Sequence, residues 1–184
     1  MKPIYPLGLL LALATSCQKD APDAGLPPAT QVGANTGGCL INGERFVATG
    51  WGGGVLSNPI PPLSGGFSFD SLYTLDLNGE YQGRHTTVTL FFRSQRQGTY
   101  WLNRNTQYYP QGGARYSLNH ATFRQYDSGG EVYGTDVQHT GQITCTAADK
   151  PRGISAGTFE FTAASTFDPS KTVAITSGRF DRQQ

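Results

Sequence analysis

Residues 73–92 read YTLDLNGEYQGRHTTVTLFF. Tyr73, Leu75 and Leu77 are apolar at every second position, and Asn78-Gly79 then supplies a strong turn signal. Val88, Leu90 and Phe92 repeat the alternation, with Thr87 and Thr89 between them. A period of two puts apolar side chains on one face of a strand and polar ones on the other. The stretch therefore predicts two neighbouring strands, each with one dry and one wet face.

The same alternation recurs on both sides. Arg45–Thr49 follows the turn Asn42-Gly43, and Ser57–Gly66 reads as a Pro- and Gly-rich loop. Tyr100–Leu102 is a short strand. Tyr116–Tyr126 and Val132–Val137 flank the turn Asp127-Ser128-Gly129-Gly130, and Gln142–Thr146, Thr158–Thr162 and Thr172–Thr176 follow. A helical period nowhere runs past two turns. Composition agrees, with 24 Gly, 11 Pro, 10 Phe and 9 Tyr but 1 Met. Charged residues make up 15%, against roughly 25% in ordinary soluble domains, so hydroxyl and amide groups carry the wet faces. The expected fold is all-β, an antiparallel β-sandwich of about nine strands, with a closed β-barrel as the alternative.

The first residues follow a different logic. Lys2 is the only charge among the first 18, and Ile4–Ala14 is largely apolar. Eleven residues are too few for a bilayer, which needs about 20. A basic start, a short apolar run and the small residues Ala14, Thr15 and Ser16 form a secretory signal pattern. Two cleavage readings compete: an A-x-A site at Ala12-Leu13-Ala14, and a lipobox-like Ala14-Thr15-Ser16-Cys17 whose cysteine is acylated. Ordinary cleavage leaves Cys17, Cys39 and Cys145, an odd number for an oxidising compartment. Acylation consumes Cys17 and is the reading preferred here. Cys39 and Cys145 then remain, either as a disulfide closing a loop of about 100 residues or as two buried thiols. The stretch 18–38, QKDAPDAGLPPATQVGANTGG, has the composition of a flexible tether with a root-mean-square span of roughly 25 Å. The expected organisation is a signal peptide over 1–16, lipidated Cys17 with its tether to residue 38, and a β-domain over 39–184.

The domain's motifs resemble those of a group of small Bacteroidota-type lipoproteins of unknown function. Gly38-Cys39-Leu40-Ile41-Asn42-Gly43, followed by Arg45-Phe46, resembles their C-x-V-N-G-like opening hairpin. Gly98-Thr99-Tyr100-Trp101-Leu102 is similar to their central G-x-Y-x-L strand. Ile154-Ser155 with Gly157-Thr158-Phe159-Glu160-Phe161, and Ile175-Thr176-Ser177-Gly178-Arg179-Phe180-Asp181, resemble their closing pair of strands, although Ala156 interrupts the commoner run. Gln18-Lys19-Asp20 resembles a cell-surface export signal. The resemblance implies a β-rich, palmitate-anchored outer-membrane protein facing the periplasm or the exterior, and it supplies no catalytic residues.

Chemical motifs are sparse. Gly153-Ile154-Ser155-Ala156-Gly157 matches the nucleophile elbow G-x-S-x-G, but that motif needs a strand-to-helix turn and a later histidine. Thr158–Thr162 alternates as a strand, and the last histidine, His139, precedes Ser155. The segment reads instead as the second arm of a hairpin turned at Asp149–Gly153. His85, His120 and His139 have no metal-ligand spacing. Gly50-Trp51-Gly52-Gly53-Gly54 lacks the Lys-Ser/Thr of a phosphate loop and reads as a loop or bulged strand. No metal or cofactor is expected.

One asymmetry marks a candidate surface. Residues 81–126 hold Arg84, Arg93, Arg96, Arg104, Arg115 and Arg124, no Asp or Glu, and ten aromatic residues. Arginine forks bind carboxylates and phosphates, and exposed rings stack on sugars. Trp101, Tyr108 and Tyr109 are the expected stacking groups, with Arg104 and Arg115 as anion holders. The plainer reading pairs these arginines with Asp70, Asp76, Glu80 and Glu131 on neighbouring strands. Signal cleavage removes Lys2 alone among the charged residues, which leaves bases and acids equal in number. Such a balance gives no drive toward nucleic acid. The expected function is a membrane-anchored, non-catalytic binding or structural domain for an anionic glycan or a lipid headgroup. The alternatives are a glycan-active enzyme with paired carboxylates and a subunit of a surface assembly.

Overall fold

The computed structural model describes residues 25–52, 58–68, 71–103, 118–126, 129 and 131–184. Cys17 lies outside them. Eleven strands follow in chain order: β1 (Thr36–Ile41), β2 (Glu44–Val47), β3 (Leu63–Phe67), β4 (Tyr73–Tyr81), β5 (Arg84–Phe92), β6 (Gly98–Trp101), β7 (His120–Gln125), β8 (Val132–Gly134), β9 (Gly141–Asp149), β10 (Ile154–Ser165) and β11 (Thr172–Gln183). Every pairing among them is antiparallel. The all-β antiparallel class expected from the alternation is the class that forms.

The strands belong to one connected sheet, ordered β2-β1-β11-β10-β8-β7-β5-β4-β3, with β9 and then β6 branching from β10. The fork exists because β10 is twelve residues long. Ile154–Phe161 pairs with β9, while Ala164 and Ser165 pair with β8. The sheet curls into a half-barrel around a core that includes Tyr73, Leu75, Leu77, Val88, Leu90, Phe92, Phe159, Ile175 and Phe180. Tyr73 and Phe92 stack at 4.7 Å between centroids, and the buried Tyr73 hydroxyl meets Ser155 Oγ at 2.6 Å. Burying each such side chain contributes roughly 1.5–3 kcal/mol. Ser155, inside the elbow-like motif, is thus a core residue of a hairpin strand.

The ends of the curl approach each other without a full backbone ladder. The Gln184 side-chain amide accepts from Phe67 N at 2.9 Å and donates to Phe67 O at 3.1 Å, imitating a strand neighbour for β3. At the other end β2 lies against β4. A Cβ on Gly79 would sit 2.5 Å from Val47 O.

That close approach explains why Asn78-Gly79 is not the turn its sequence suggests. Asn78 is buried and donates to Pro61 O (3.0 Å) and Ser64 Oγ (3.2 Å), so β4 continues to Tyr81. The hairpin turns instead at Gln82-Gly83, both with positive φ (52° and 73°). The expected Ser57–Gly66 loop is shorter than read, because Leu63–Phe67 pairs with β4.

Two further expectations change. Cys39 and Cys145 are separate buried thiols, not a disulfide. β11 and β10 stand between their strands. Three strand spacings of about 4.8 Å put roughly 14 Å of sheet between them, against a Cα limit near 7 Å for bridging. Shared parity placed both on the dry face but not beside each other. Burial pushes the Cys39 thiol well up, and the Cys145 thiol up to about 11 despite contact with Ala147 O. The parity argument for acylating Cys17 therefore loses its paired cysteines and leaves the signal pattern alone. The domain also begins before residue 39. Asp181 accepts from Thr30 Oγ1 (2.5 Å), Val32 N (3.0 Å) and Gly33 N (2.7 Å), and Leu26 is buried.

Candidate functional site

The wet faces of β3, β4, β5 and β7 form one polar surface. Register aligns Ser64, Asp76, Thr89 and Thr122 in a row across the four strands. Asn78, Thr87 and Arg124 form the next row. Neighbours in these rows bond to one another. Thr89 Oγ1 donates to Asp76 Oδ1 at 2.7 Å, and Thr87 Oγ1 donates to Asn78 Oδ1 at 2.9 Å.

Aromatic walls turn this surface into a cleft of about 380 Å³. Trp51 comes from the loop after β2, where Trp51 and Ile60 exchange backbone bonds of 3.1 and 2.7 Å. Its ring stacks on His85 at 5.1 Å and 9°, and meets Tyr126 at 5.6 Å and 60°. Tyr126, 45% exposed, lies under the Arg124 guanidinium at 4.7 Å. His120 lines the cleft and stacks on Phe91 at 4.8 Å.

The electrostatics are mixed. Burial pushes the Asp76 carboxyl above its ordinary range, and bonds from Thr89 and Ser64 oppose the shift. Burial pushes His120 down, partly countered by its 2.8 Å contact with Leu118 O. Among the described residues the lining holds Asp76 and Arg124, with hydroxyl and amide groups between them. Among the described residues of the lining Asp76 is the one carboxylate, and the His120 Nδ1 is engaged by backbone. Among the described residues no group of three or more His, Cys, Asp or Glu gathers to hold a metal.

Among the described residues Asp76, Glu80 and Glu131 have partners other than the arginines expected opposite them. Asp76 is held by Thr89, and Glu80 lies 4.0 Å from His85. Glu131 accepts from Ser165 Oγ at 2.5 Å and sits 3.8 Å from Lys171. Asp70 lies outside the described residues, as do Arg104, Tyr108, Tyr109 and Arg115. Trp101 is described: it is 62% exposed on β6 and beside a separate cleft lined by Arg93, Tyr100 and Asn119. Among the described residues of the stretch 81–126, Thr87, Thr89, His120, Thr122, Arg124 and Tyr126 line the cleft at Trp51. Sequence reasoning missed Trp51, Asp76 and Asn78. The available signals were Thr87 and Thr89 on one wet face and a lone Trp framed by glycines.

The chain belongs to the DUF6252 family. That family is a domain of unknown function, and the match covers residues 63–182. No curated protein matches the chain. No solved structure matches it either. The DUF6252 match runs from the start of β3 into β11, so it contains both polar rows of the cleft. Trp51 lies ahead of the matched segment, whereas Tyr126 and His120 lie within it, so the match covers part of the aromatic lining.

Proposed function

We propose that this DUF6252 chain is a membrane-tethered, non-catalytic glycan-binding lipoprotein, anchored through acylated Cys17 on the outer membrane. The observation that carries the binding reading is the cleft lined by the Trp51–Tyr126 pair, whose rings meet at 5.6 Å. Its floor presents Asp76, Asn78, Thr87, Thr89 and Thr122 as donors and acceptors, and its walls present ring surface. Sugars offer the complementary pattern, hydroxyls around the ring edge and C–H groups on its faces. Arg124 adds affinity for an acidic substituent. Among the described lining residues Asp76 is the one carboxylate, which supports binding over hydrolysis by two acids about 5–9.5 Å apart.

A glycan array probed with the chain expressed from Gln18 tests the reading. Binding to one glycan class is expected, weakened tenfold or more by Trp51→Ala and by Tyr126→Ala. A blank array across neutral and acidic glycans overturns it. Membrane anchoring is tested separately. Cys17→Ser in the full chain should abolish lipid labelling and release the protein from membranes, because stable anchoring needs the acyl chains; unchanged membrane fractionation refutes the anchor.

A further inference from the structure

The opposite arm of the fork carries a second polar face. Tyr100, Ile143, Phe159 and Phe180 point inward, and Tyr100 stacks on Phe92 at 4.6 Å. The alternate residues therefore point outward. Register sets Trp101, Gln142 and Glu160 in one row across β6, β9 and β10. Thr99, Thr144, Thr158 and Arg179 form the adjacent row across β6, β9, β10 and β11. The rows are knitted sideways: Gln142 Nε2 donates to Glu160 Oε1 at 2.8 Å, and the Thr99 and Thr144 hydroxyls lie 3.2 Å apart.

This face is shaped as a shallow channel. Gly178 is the register partner of Phe159, and a Cβ there would strike that inward-pointing ring at 2.5 Å. Ala29, from the segment docked by Asp181, joins Ser177 and Arg179 in the lining at the β11 end of a depression of about 340 Å³. Trp101 stands one strand beyond that depression, in register with Gln142 of its lining, and is 62% exposed on β6, whose strand partner among the described residues is β9. Three strand spacings separate β6 from β11, about 14 Å. An indole normally buries 150–250 Å², so its exposure at the mouth of a hydroxyl-lined channel needs a partner with an apolar face and polar edges.

We propose that this channel binds the interior of a linear, neutral polysaccharide laid across β6, β9, β10 and β11, with Trp101 as the stacking platform. Among the described residues of the lining Glu160 is the acid and Arg179 the base, a balance that favours no net charge on the occupant. Hydroxyl and amide groups repeat at strand spacing, which suits a repeating ligand. The proposal rests on the glycan-binding reading for ligand class alone, since its residues are separate from the cleft at Trp51.

The chain has two tryptophans, Trp51 and Trp101, so each site can report for itself. The chain from Gln18 is run on native gels containing hydroxyethylcellulose, linear β-glucan or xylan. Retardation by at least one polymer is expected. Trp101→Ala should weaken it tenfold or more, while Phe167→Ala, at a position 73% exposed and outside both sites, leaves it unchanged; in Trp51→Phe the fluorescence reports Trp101 alone and should still shift on addition of polymer. Thr158→Ile, a substitution suited to a strand, should also weaken retardation, and it serves if Trp101→Ala fails to fold. No retardation by any polymer, or retardation indifferent to both Trp101→Ala and Thr158→Ile, overturns the proposal. Loss of array binding with polymer retardation intact would instead remove the cleft reading and leave this one standing.

Discussion

At the scale of single residues, Asp76 is the clearest case of a cost carried by the candidate cleft. It sits in a row of hydroxyls with its carboxyl shifted upward, because burial disfavours the charge more than Thr89 and Ser64 compensate for it. A folded-state pKa above the unfolded one means the fold holds the proton more tightly. Its contribution to stability is complete below the unfolded pKa and is lost as pH rises through the folded one. Asp76→Asn removes the charge and keeps an acceptor for Thr89. It should therefore raise Tm at pH 7 relative to the wild type, with the gap shrinking in acid as the wild-type carboxyl protonates. Thermal melts of both proteins from pH 4 to pH 7 check this, and a gap that widens on acidification contradicts it. Such a group is invisible in sequence, where Asp76 is one more polar position of an alternating strand. The cysteines teach the same lesson. Parity put Cys39 and Cys145 on the dry face, where they are, but the number of strands between them is a property of topology.

At the scale of elements, periodicity found the strands and misjudged their ends. Tyr73–Leu77 and Val88–Phe92 were legible because each face of their alternation is chemically uniform. β10 and β11 run twelve residues each, well beyond the legible Thr158–Thr162 and Thr172–Thr176. Gly157 and Gly178 interrupt the apolar rhythm there because facing aromatic rings occupy the space a side chain would need. β3 was hidden for a related reason: Gly65 and Gly66 look like loop residues, and what makes Leu63–Phe67 a strand is its pairing with β4. Its far edge is covered by the amide of Gln184, which gives another testable point. Gln184→Ala removes both bonds to Phe67, each with a net worth of about 0.5–1.5 kcal/mol. The Phe67 amide should then exchange with deuterium several-fold faster, while amides in the middle of β4 keep their protection. Unchanged exchange at Phe67 would mean that the side-chain bonds do not hold this edge in solution.

At the scale of the whole molecule, the placement of the N-terminal segment decides how a lipid-anchored domain would sit at a membrane. Composition suggested a loose tether to residue 38, yet the chain is docked from Leu26 by the bonds to Asp181. If Cys17 bears the anchor, eight residues, 18–25, separate it from the docked segment; fully extended, that reach is at most about 30 Å. Burial alone would raise the Asp181 carboxyl, but the bonds from Thr30, Val32, Gly33 and Ala34 together hold it below its ordinary range. A depressed folded-state pKa contributes stability above the unfolded pKa and loses it as pH falls through the folded one. The clamp is therefore closed at neutral pH and weakens in acid. Asp181→Ala should open it at pH 7, exposing the segment around Val32, already 70% exposed, to thermolysin. Cutting within residues 26–35 should accelerate at least tenfold, with the β-domain left intact on the gel. Because Asp181 is buried, Thr30→Ala serves as the milder variant: it removes one bond of the set and should give a smaller acceleration at the same site. If neither variant is cut faster than the wild type, Asp181 does not hold the segment.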